Sequence, residues 1–179
     1  MIQRRTLLSA TAVAPLAALT GCASQNLAGY ASEKPVLDLT RYFNGTVDAH
    51  GIFQGRSGQI VKRFTVVMEC SWRGNEGVLD EAFTYSDGTT QRRIWRLTQH
   101  ADGHYTGTAD DVVGTARGQT QGNAFRWGYT LALPVDGKVY HVDFDDWMYL
   151  IDERVMLNKA VMSKFGFRLG EVTLSFVKR

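Results

Sequence analysis

The sequence predicts a single all-β domain, an antiparallel up-and-down barrel of about eight to ten strands. Apolar and polar residues alternate through most of the chain after residue 46, which is the period of a strand with one buried face. Turn signals such as Asp136-Gly137 recur at short intervals, so consecutive strands are expected to pair as hairpins. Glycines also recur in the strand region, which favours the sharp bends of a small barrel over a β-sandwich. These glycines are Gly107, Gly114, Gly118, Gly122 and Gly128.

The first 21 residues have the layout of a lipoprotein signal peptide. Arg4 and Arg5 precede an uncharged run over residues 7–19, which is shorter than the roughly 20 residues of a spanning helix but typical of a signal peptide. The run ends at Leu19-Thr20-Gly21-Cys22, the pattern at which bacterial lipoproteins are cut and acylated. We therefore predict that Cys22 is the lipidated first residue of the mature chain; a plain signal peptide with an accidental cysteine is the alternative.

The predicted lipid anchor also predicts a location and a partner. Two or three acyl chains on Cys22 would hold the protein on a membrane, whereas one chain holds only marginally. Ala23 follows the cysteine where an Asp would retain a Gram-negative lipoprotein in the inner membrane. By resemblance to that class of proteins, we expect the outer membrane, with the domain facing the periplasm. Arg4 and Arg5 fit both twin-arginine and ordinary secretory export.

The composition of the mature chain argues against nucleic-acid binding and against an intramolecular disulfide. Two of the twenty basic residues and none of the eighteen acids lie in residues 1–21, so the mature chain is formally neutral. It carries no basic patch that would indicate nucleic-acid binding. Cys70 is its only cysteine after Cys22, so no intramolecular disulfide is expected. Because Cys70 falls on the apolar face of a predicted strand, we expect it to pack as a small hydrophobe.

Along the mature chain, residues 22–36 are expected to form the lipidated N-terminus and a polar tether, and residues 37–179 the barrel. Leu39, Tyr42 and Phe43 fall at helical spacing after a possible N-cap at Asp38 or Thr40, which predicts a short helix that closes one end of the fold. Pro134 is expected to end the seventh strand. The predicted strands are residues 47–53, 64–72, 79–85, 91–98, 105–110, 112–119, 125–133, 140–150, 155–162 and 172–176.

Six short motifs in order resemble one family over nearly the whole mature chain. The family is DUF3833, a group of bacterial lipoproteins of unknown function. The resemblance implies a lipocalin-like β-barrel, and because relatives often accompany fatty-acid-modifying enzymes it points towards lipids. It supplies no catalytic residue. The motifs are Tyr42-Phe43-Asn44-Gly45, Phe83-Thr84-Tyr85-Ser86-Asp87-Gly88, Arg93-Ile94-Trp95, Gly122-Asn123-Ala124, Asp145-Asp146-Trp147-Met148 and Ser163-Lys164-Phe165-Gly166.

Three charged residues fall on predicted apolar strand faces: Glu81, Arg93 and Asp146. Burying a charge is costly unless it is paired and hydrogen-bonded, and an arginine between two carboxylates would meet that condition. Three interpretations follow. In the first, the cluster is a structural ion network. In the second, it is the polar floor of a ligand cavity, where Arg93 binds a carboxylate or phosphate head group. In the third, its carboxylates are a pair for acid–base chemistry.

The aromatic residues also allow two interpretations. Trp95 and Trp127 alternate with polar neighbours, so they either line an apolar cavity or form ordinary core. The four histidines show no zinc-type spacing, and no calcium loop, nucleophile elbow or phosphate-binding loop occurs, so we expect neither a metal nor a cofactor.

The resulting functional prediction is a membrane-anchored periplasmic lipoprotein that binds or carries a hydrophobic ligand such as a fatty acid or other lipid. The ligand-binding residues would be Arg93, Glu81, Asp146, Trp95 and Trp127. A packed barrel with a structural or partner-binding role is one alternative, since small barrels are often filled by side chains. An enzyme that acts on an envelope lipid through Glu81 or Asp146 is the other.

Overall fold

The computed structural model describes residues 25–179, so the predicted signal peptide and Cys22 lie outside the described residues. These residues form a closed antiparallel barrel of ten strands, which confirms the predicted fold class. The strands are β1 Gly45–Gly55, β2 Ile60–Arg73, β3 Glu76–Tyr85, β4 Thr90–Gln99, β5 His104–Thr108, β6 Ala116–Gln121, β7 Ala124–Val135, β8 Lys138–Leu150, β9 Val155–Lys164 and β10 Phe167–Lys178.

The barrel is an up-and-down meander of the lipocalin-like type. Each strand pairs with the next one in the chain, and β1 closes the barrel on β10, from Val47 opposite Lys178 to Gly55 opposite Gly170. Closure removes the free sheet edges that would otherwise pair with other chains. The β1–β2, β3–β4, β7–β8 and β9–β10 hairpins all lie at one end of the barrel, which we call the open end.

A short helix, α1 (Leu39–Tyr42), closes the opposite end, which we call the plugged end. The carboxylate of Asp38 accepts a hydrogen bond from the Thr40 N–H at 2.9 Å, which confirms the predicted N-cap. Leu39 and Phe43 are buried, and the Phe43 ring packs edge-to-face on Phe176 with ring centroids 5.6 Å apart. The helix therefore closes one end of the fold, as its sequence spacing predicts.

Two local predictions are wrong around the sixth and seventh strands. Pro134 lies inside β7, opposite Val139 of β8. Since β6 pairs along β7 only as far as Gly128, Pro134 sits where β7 has a single partner strand and its missing N–H is tolerated. β6 begins at Ala116 instead of residue 112, and Val112 makes only an isolated bridge to Leu131.

The strand-region glycines divide into two groups. A Cβ on Gly118 would lie 2.3 Å from the Cβ of Trp127, so this strand glycine permits the close approach that a small barrel needs. Gly114 and Gly122, by contrast, lie in loops at φ +74 and +54, where glycine avoids the strain of left-handed backbone.

Part of the predicted tether lies against the barrel wall. A 3-10 helix over Leu27–Tyr30 packs on the outside of β6 and β7, and the Tyr30 ring lies 6.0 Å from Trp147 and 5.5 Å from Tyr149. Trp147 points out of the barrel, and this cover leaves it only 5% exposed. The apolar side chains in the segment explain why it docks instead of remaining extended in solvent.

Candidate functional site

The barrel interior holds a cavity of about 990 Å³. Leu39 and Phe43 of the plugged end lie at its floor, while Thr89 and Val135 line it beside the hairpins of the open end. Small-molecule sites usually measure about 300–1,000 Å³ and are mostly apolar. The interior of this barrel therefore has room for a ligand between its side chains.

Strand register brings the predicted charged residues to the inner face. Glu81 of β3 lies directly opposite Arg93 of β4, and Asp146 of β8 lies opposite Trp127 of β7. Because side chains on paired positions point to the same face of a sheet, each pair enters the cavity together. All four residues line the cavity, as the alternation of the sequence predicts for the three charged ones.

Arg93 finds its main partner in Asp111, which falls between two of the predicted strands. Its Nε and Nη2 atoms donate to the Asp111 carboxylate at 3.0 and 2.7 Å, which is a bidentate pairing. Glu81 lies farther away, with its Oε2 atom 3.9 Å from Nη1 of Arg93. Burial alone would lower the pKa of Arg93, but its hydrogen bonds to Asp111 and the charge of Glu81 outweigh this effect and raise the pKa.

Asp111 reaches this position because the barrel wall is incomplete near the open end. Residues 109–115 connect the two shortest strands, β5 and β6, and fill the wall between β4 and β7. The Val113 N–H donates to Thr130 at 2.8 Å, and the Ala132 N–H donates to the carbonyl of Asp111 at 2.8 Å. No local pattern marks Asp111 as inward-facing, since its orientation depends on where this connection meets β7.

Asp146 is held by a second set of polar groups. The Tyr129 hydroxyl donates to its Oδ2 atom at 3.0 Å, and the Asn158 side-chain amide donates to its Oδ1 atom. Burial raises the pKa of Asp146 to about 6, against the opposing effect of the Asn158 and Tyr129 hydrogen bonds. The indole N–H of Trp127 is buried and has no hydrogen-bond partner among residues 25–179, although it lies close enough to Asp146 to lower the pKa of that carboxyl group. Asn158 was missed because sequence alone gives a single asparagine on a strand no special weight.

Glu81 is the least satisfied member of the cluster. Its side chain is 12% exposed and accepts no hydrogen bond from any residue in the described range 25–179. Burial raises its pKa to about 7, with Arg93 acting to lower the pKa and Asp111 and Asp146 acting to raise it. The cluster thus contains three carboxyl groups and one guanidinium, which leaves a surplus of hydrogen-bond acceptors facing the cavity.

Aromatic rings form much of the apolar wall beside this cluster. The rings of Trp95 and Trp127 pack with centroids 4.6 Å apart, and Tyr129 lies edge-on to both. Phe64 and Phe83 continue the wall towards the open end, with ring centroids 5.9 Å apart. The two predicted tryptophans therefore serve both of their proposed roles, since they pack on each other and line the cavity.

The Cys70 thiol is buried in the barrel core. Cys70 is 6% exposed, and burial raises the pKa of its thiol to about 12, so it packs as a hydrophobe as predicted. Within residues 25–179, no group of three or more His, Cys, Asp or Glu side chains is arranged to hold a metal ion. In the same range, no helix combines the length and the apolar character needed to cross a bilayer.

Comparisons with known proteins give one similar solved fold and one matching family. A solved structure with a similar fold is the S-type phycobiliprotein lyase CPES from Guillardia theta, at a TM-score of 0.61 and 6% sequence identity. The match covers 79% of this chain and 90% of the lyase chain, and at that identity it shows the fold alone. No curated protein matches the sequence. A family model described as "Protein of unknown function (DUF3833)" matches residues 16–178.

Proposed function

The chain belongs to the DUF3833 family, and we propose that it binds a hydrophobic small molecule inside its barrel. The observation that carries the proposal is the cavity of about 990 Å³, with aromatic walls and one polar cluster. A binding site of this kind holds an apolar ligand by burial and orients it with a few polar groups. The lipocalin-like fold that the chain shares with a phycobiliprotein lyase is compatible with a small molecule in this position.

The polar cluster favours a ligand whose polar end donates hydrogen bonds. Asp111 already pairs with the Nε and Nη2 atoms of Arg93, so a ligand carboxylate would meet only Nη1, which lies 3.9 Å from Glu81, and would face the negative charges of Glu81 and Asp146. A hydroxyl, amide, ammonium or protonated carboxyl group would instead meet the unsatisfied oxygens of Glu81. We therefore place the polar end of a lipid-like ligand at Glu81, with its chain against Trp95 and Trp127.

Lipid anchoring through Cys22 is a separate part of the proposal. It rests on the signal-peptide layout and the Leu19-Thr20-Gly21-Cys22 pattern, both of which precede the described residues. Acylation there would anchor the barrel to the outer membrane on its periplasmic side. Mass spectrometry of the intact protein extracted from bacterial envelopes tests this proposal. An N-terminal residue other than an acylated Cys22 would contradict it.

Lipid extraction of the purified protein tests whether the barrel carries a ligand. Full-length protein from a bacterial host should release a co-purifying lipid that mass spectrometry identifies. The variant Ala160→Trp fills the cavity from β9, where Ala160 is 2% exposed, and should lose the lipid. Ala82→Trp, on the outer face of β3, is the matched control and should keep it. A wild-type protein without a ligand, or full occupancy in a folded Ala160→Trp variant, would count against binding.

The polar end is tested with three probes that share one chain length: dodecanol, dodecylamine and dodecanoic acid. At pH 8, where Glu81 is mostly ionised because its pKa is about 7, the alcohol and the amine should bind more tightly than dodecanoate. Glu81→Gln should reduce the preference for the amine over the acid by roughly tenfold or more, since it removes one charge from the site. Tightest binding of dodecanoate by the wild-type protein would refute the assignment of the donor end.

Acid–base chemistry on a bound lipid is a second candidate, and one observation favours it. The pKa values of about 7 for Glu81 and about 6 for Asp146 lie near the operating pH, as those of catalytic acids and bases do. Incubation of envelope lipids with the protein, followed by mass spectrometry, separates the candidates. Product formation that Glu81→Gln abolishes would establish an enzyme, whereas unchanged lipids would favour a binding protein.

A further inference from the structure

The exposed apolar side chains of the barrel are concentrated at the open end. Among the described residues, thirteen large apolar side chains are exposed, and eight of them lie on the β1–β2, β7–β8 and β9–β10 hairpins. These three hairpins adjoin one another in the barrel order. Phe165 and Phe167 are 86% and 68% exposed, and Val139 is 64% exposed. Exposed apolar side chains gathered on adjoining hairpins mark an interaction site more often than scattered single residues do.

Phe165 adds an independent observation, because both its backbone conformation and its exposure to solvent are unfavourable. Its φ of +52 puts a bulky residue in the left-handed region, where Phe is rare and strained. The β7–β8 hairpin has the same turn geometry but places Asp136, at φ +49, at the equivalent position, and Asp tolerates this backbone well. Strain and solvent exposure in one side chain indicate that the ring has a use outside the folded barrel.

The charges around these hairpins identify the partner. Residues 55–62, 134–140 and 163–169 contain five basic side chains and one acid. Lys164 lies over the rings of Tyr140 and Phe165, at 5.0 and 5.2 Å from their centroids. The other acids of the open end are Asp87 of the β3–β4 hairpin, which pairs with Lys62 at 2.8 Å, and the two aspartates of residues 109–115. Aromatic tips interspersed with lysine and arginine fit the interface of an anionic bilayer, where rings sit at headgroup level and basic groups meet lipid phosphates.

We propose that the three hairpins dock the open end of the barrel onto an anionic lipid bilayer, with Phe165 and Phe167 inserted at headgroup level. The cavity lies directly behind this surface, since Lys62 and Val135 of the same hairpins line it. A hydrophobic ligand then passes between bilayer and cavity without crossing water. The proposal goes beyond ligand binding and does not require acylation of Cys22.

The test compares labels at the two ends of the barrel. Full-length Val139→Cys and Ile151→Cys variants carry an environment-sensitive fluorophore, and the unsubstituted protein gives the background from Cys70 and from any Cys22 that is not acylated. Val139 lies at the open end and Ile151, which is 51% exposed, at the plugged end. In vesicles of phosphatidylethanolamine and phosphatidylglycerol, the label at 139 should shift to the blue and be quenched by spin-labelled lipids, and the label at 151 should not.

Phosphatidylcholine vesicles should give a weaker response at 139, because they lack the anionic lipid. Equal exposure to water at 139 and 151 would overturn the proposal. Protection of the label at 139 only in protein-containing envelope extracts, and not in protein-free vesicles, would also overturn it, since the occupant would then be a protein.

The variant Phe165→Asn separates docking from folding, because Asn adopts positive φ easily and has no apolar ring. It should raise the midpoint of thermal unfolding by about 2–4 °C while shifting the docking equilibrium by about tenfold towards the undocked state. The lipid-quenched fraction of the Val139 label reports that shift. An unchanged quenched fraction in this folded variant would show that Phe165 does not reach the bilayer.

Discussion

The two ends of this barrel use the same kinds of residue in opposite ways. At the plugged end, Phe43 is 3% exposed and packs on Phe176, and the hydrogen bond to Asp38 fixes the start of the helix. At the open end, Phe165 and Phe167 are largely exposed on a strained hairpin. The difference shows that one end contributes stability, whereas the other gives up stability and keeps the cavity accessible.

The largest expected effect tests this difference directly. Phe43→Ala should lower the free energy of unfolding by about 3–5 kcal/mol, because it removes a fully buried ring and leaves a cavity. Phe167→Ala, at a site that is 68% exposed, should change it by less than about 0.5 kcal/mol. Chemical denaturation of both variants measures the contrast. Comparable losses at the two ends would remove the basis for treating them as different.

The cavity between the two ends should make stability depend on pH. Burial raises the pKa of Glu81 from 4.5 to about 7, so the folded state holds a proton that the unfolded state releases between these values. The contribution of Glu81 to stability should therefore fall by about 3 kcal/mol as the pH rises from about 4.5 to 7. Denaturation across this range should show a larger decrease in wild type than in Glu81→Gln, where Asp146, whose pKa burial raises to about 6, still loses its proton. The exposed control Glu153→Gln should keep the wild-type slope, and an equally flat profile in both variants would contradict the assignment to Glu81.

The ion pair that fastens residues 109–115 near the open end should have a smaller effect. Arg93→Met leaves Asp111 without its bidentate partner and should cost about 2 kcal/mol, less than a fully buried pair because Asp111 is 24% exposed. Arg126→Met breaks an exposed pair with Asp145 and should cost at most about 1 kcal/mol. Urea denaturation compares the two. A larger loss in Arg126→Met would show that the Arg93 pairing contributes little to the wall.

The smallest effect concerns the helix of the plugged end. Asp38→Ala removes the acceptor for the Thr40 N–H and should cost about 1 kcal/mol. Asp136→Asn keeps the left-handed turn at the open end and should leave stability nearly unchanged. Thermal unfolding of the two variants gives the comparison. A neutral Asp38→Ala would mean that packing alone holds the plug in place.

The prediction from sequence succeeded where the signal is local. The alternation around Glu81 and Arg93 put both side chains on the inner face, and the spacing from Leu39 to Phe43 identified the closing helix. It failed where position depends on strands distant in the chain. Pro134 stays inside β7 because β6 ends short of it, and Asp111 turns inward because residues 109–115 complete the wall. Asn158 belongs to the site only because β9 pairs with β8 beside Asp146.

The sequence by itself determined the class of fold, most of the turns, the inward face of the strands that carry Glu81, Arg93 and Asp146, and the family, since these depend on a two-residue period, turn chemistry and ordered motifs. Only the tertiary structure decided that the interior is open, that Asp111 occupies Arg93 while Glu81 is left unsatisfied, and that exposed apolar residues collect on one side of the open end. These features arise when ten strands close on one another, because closure sets the distances between residues that lie far apart in the chain.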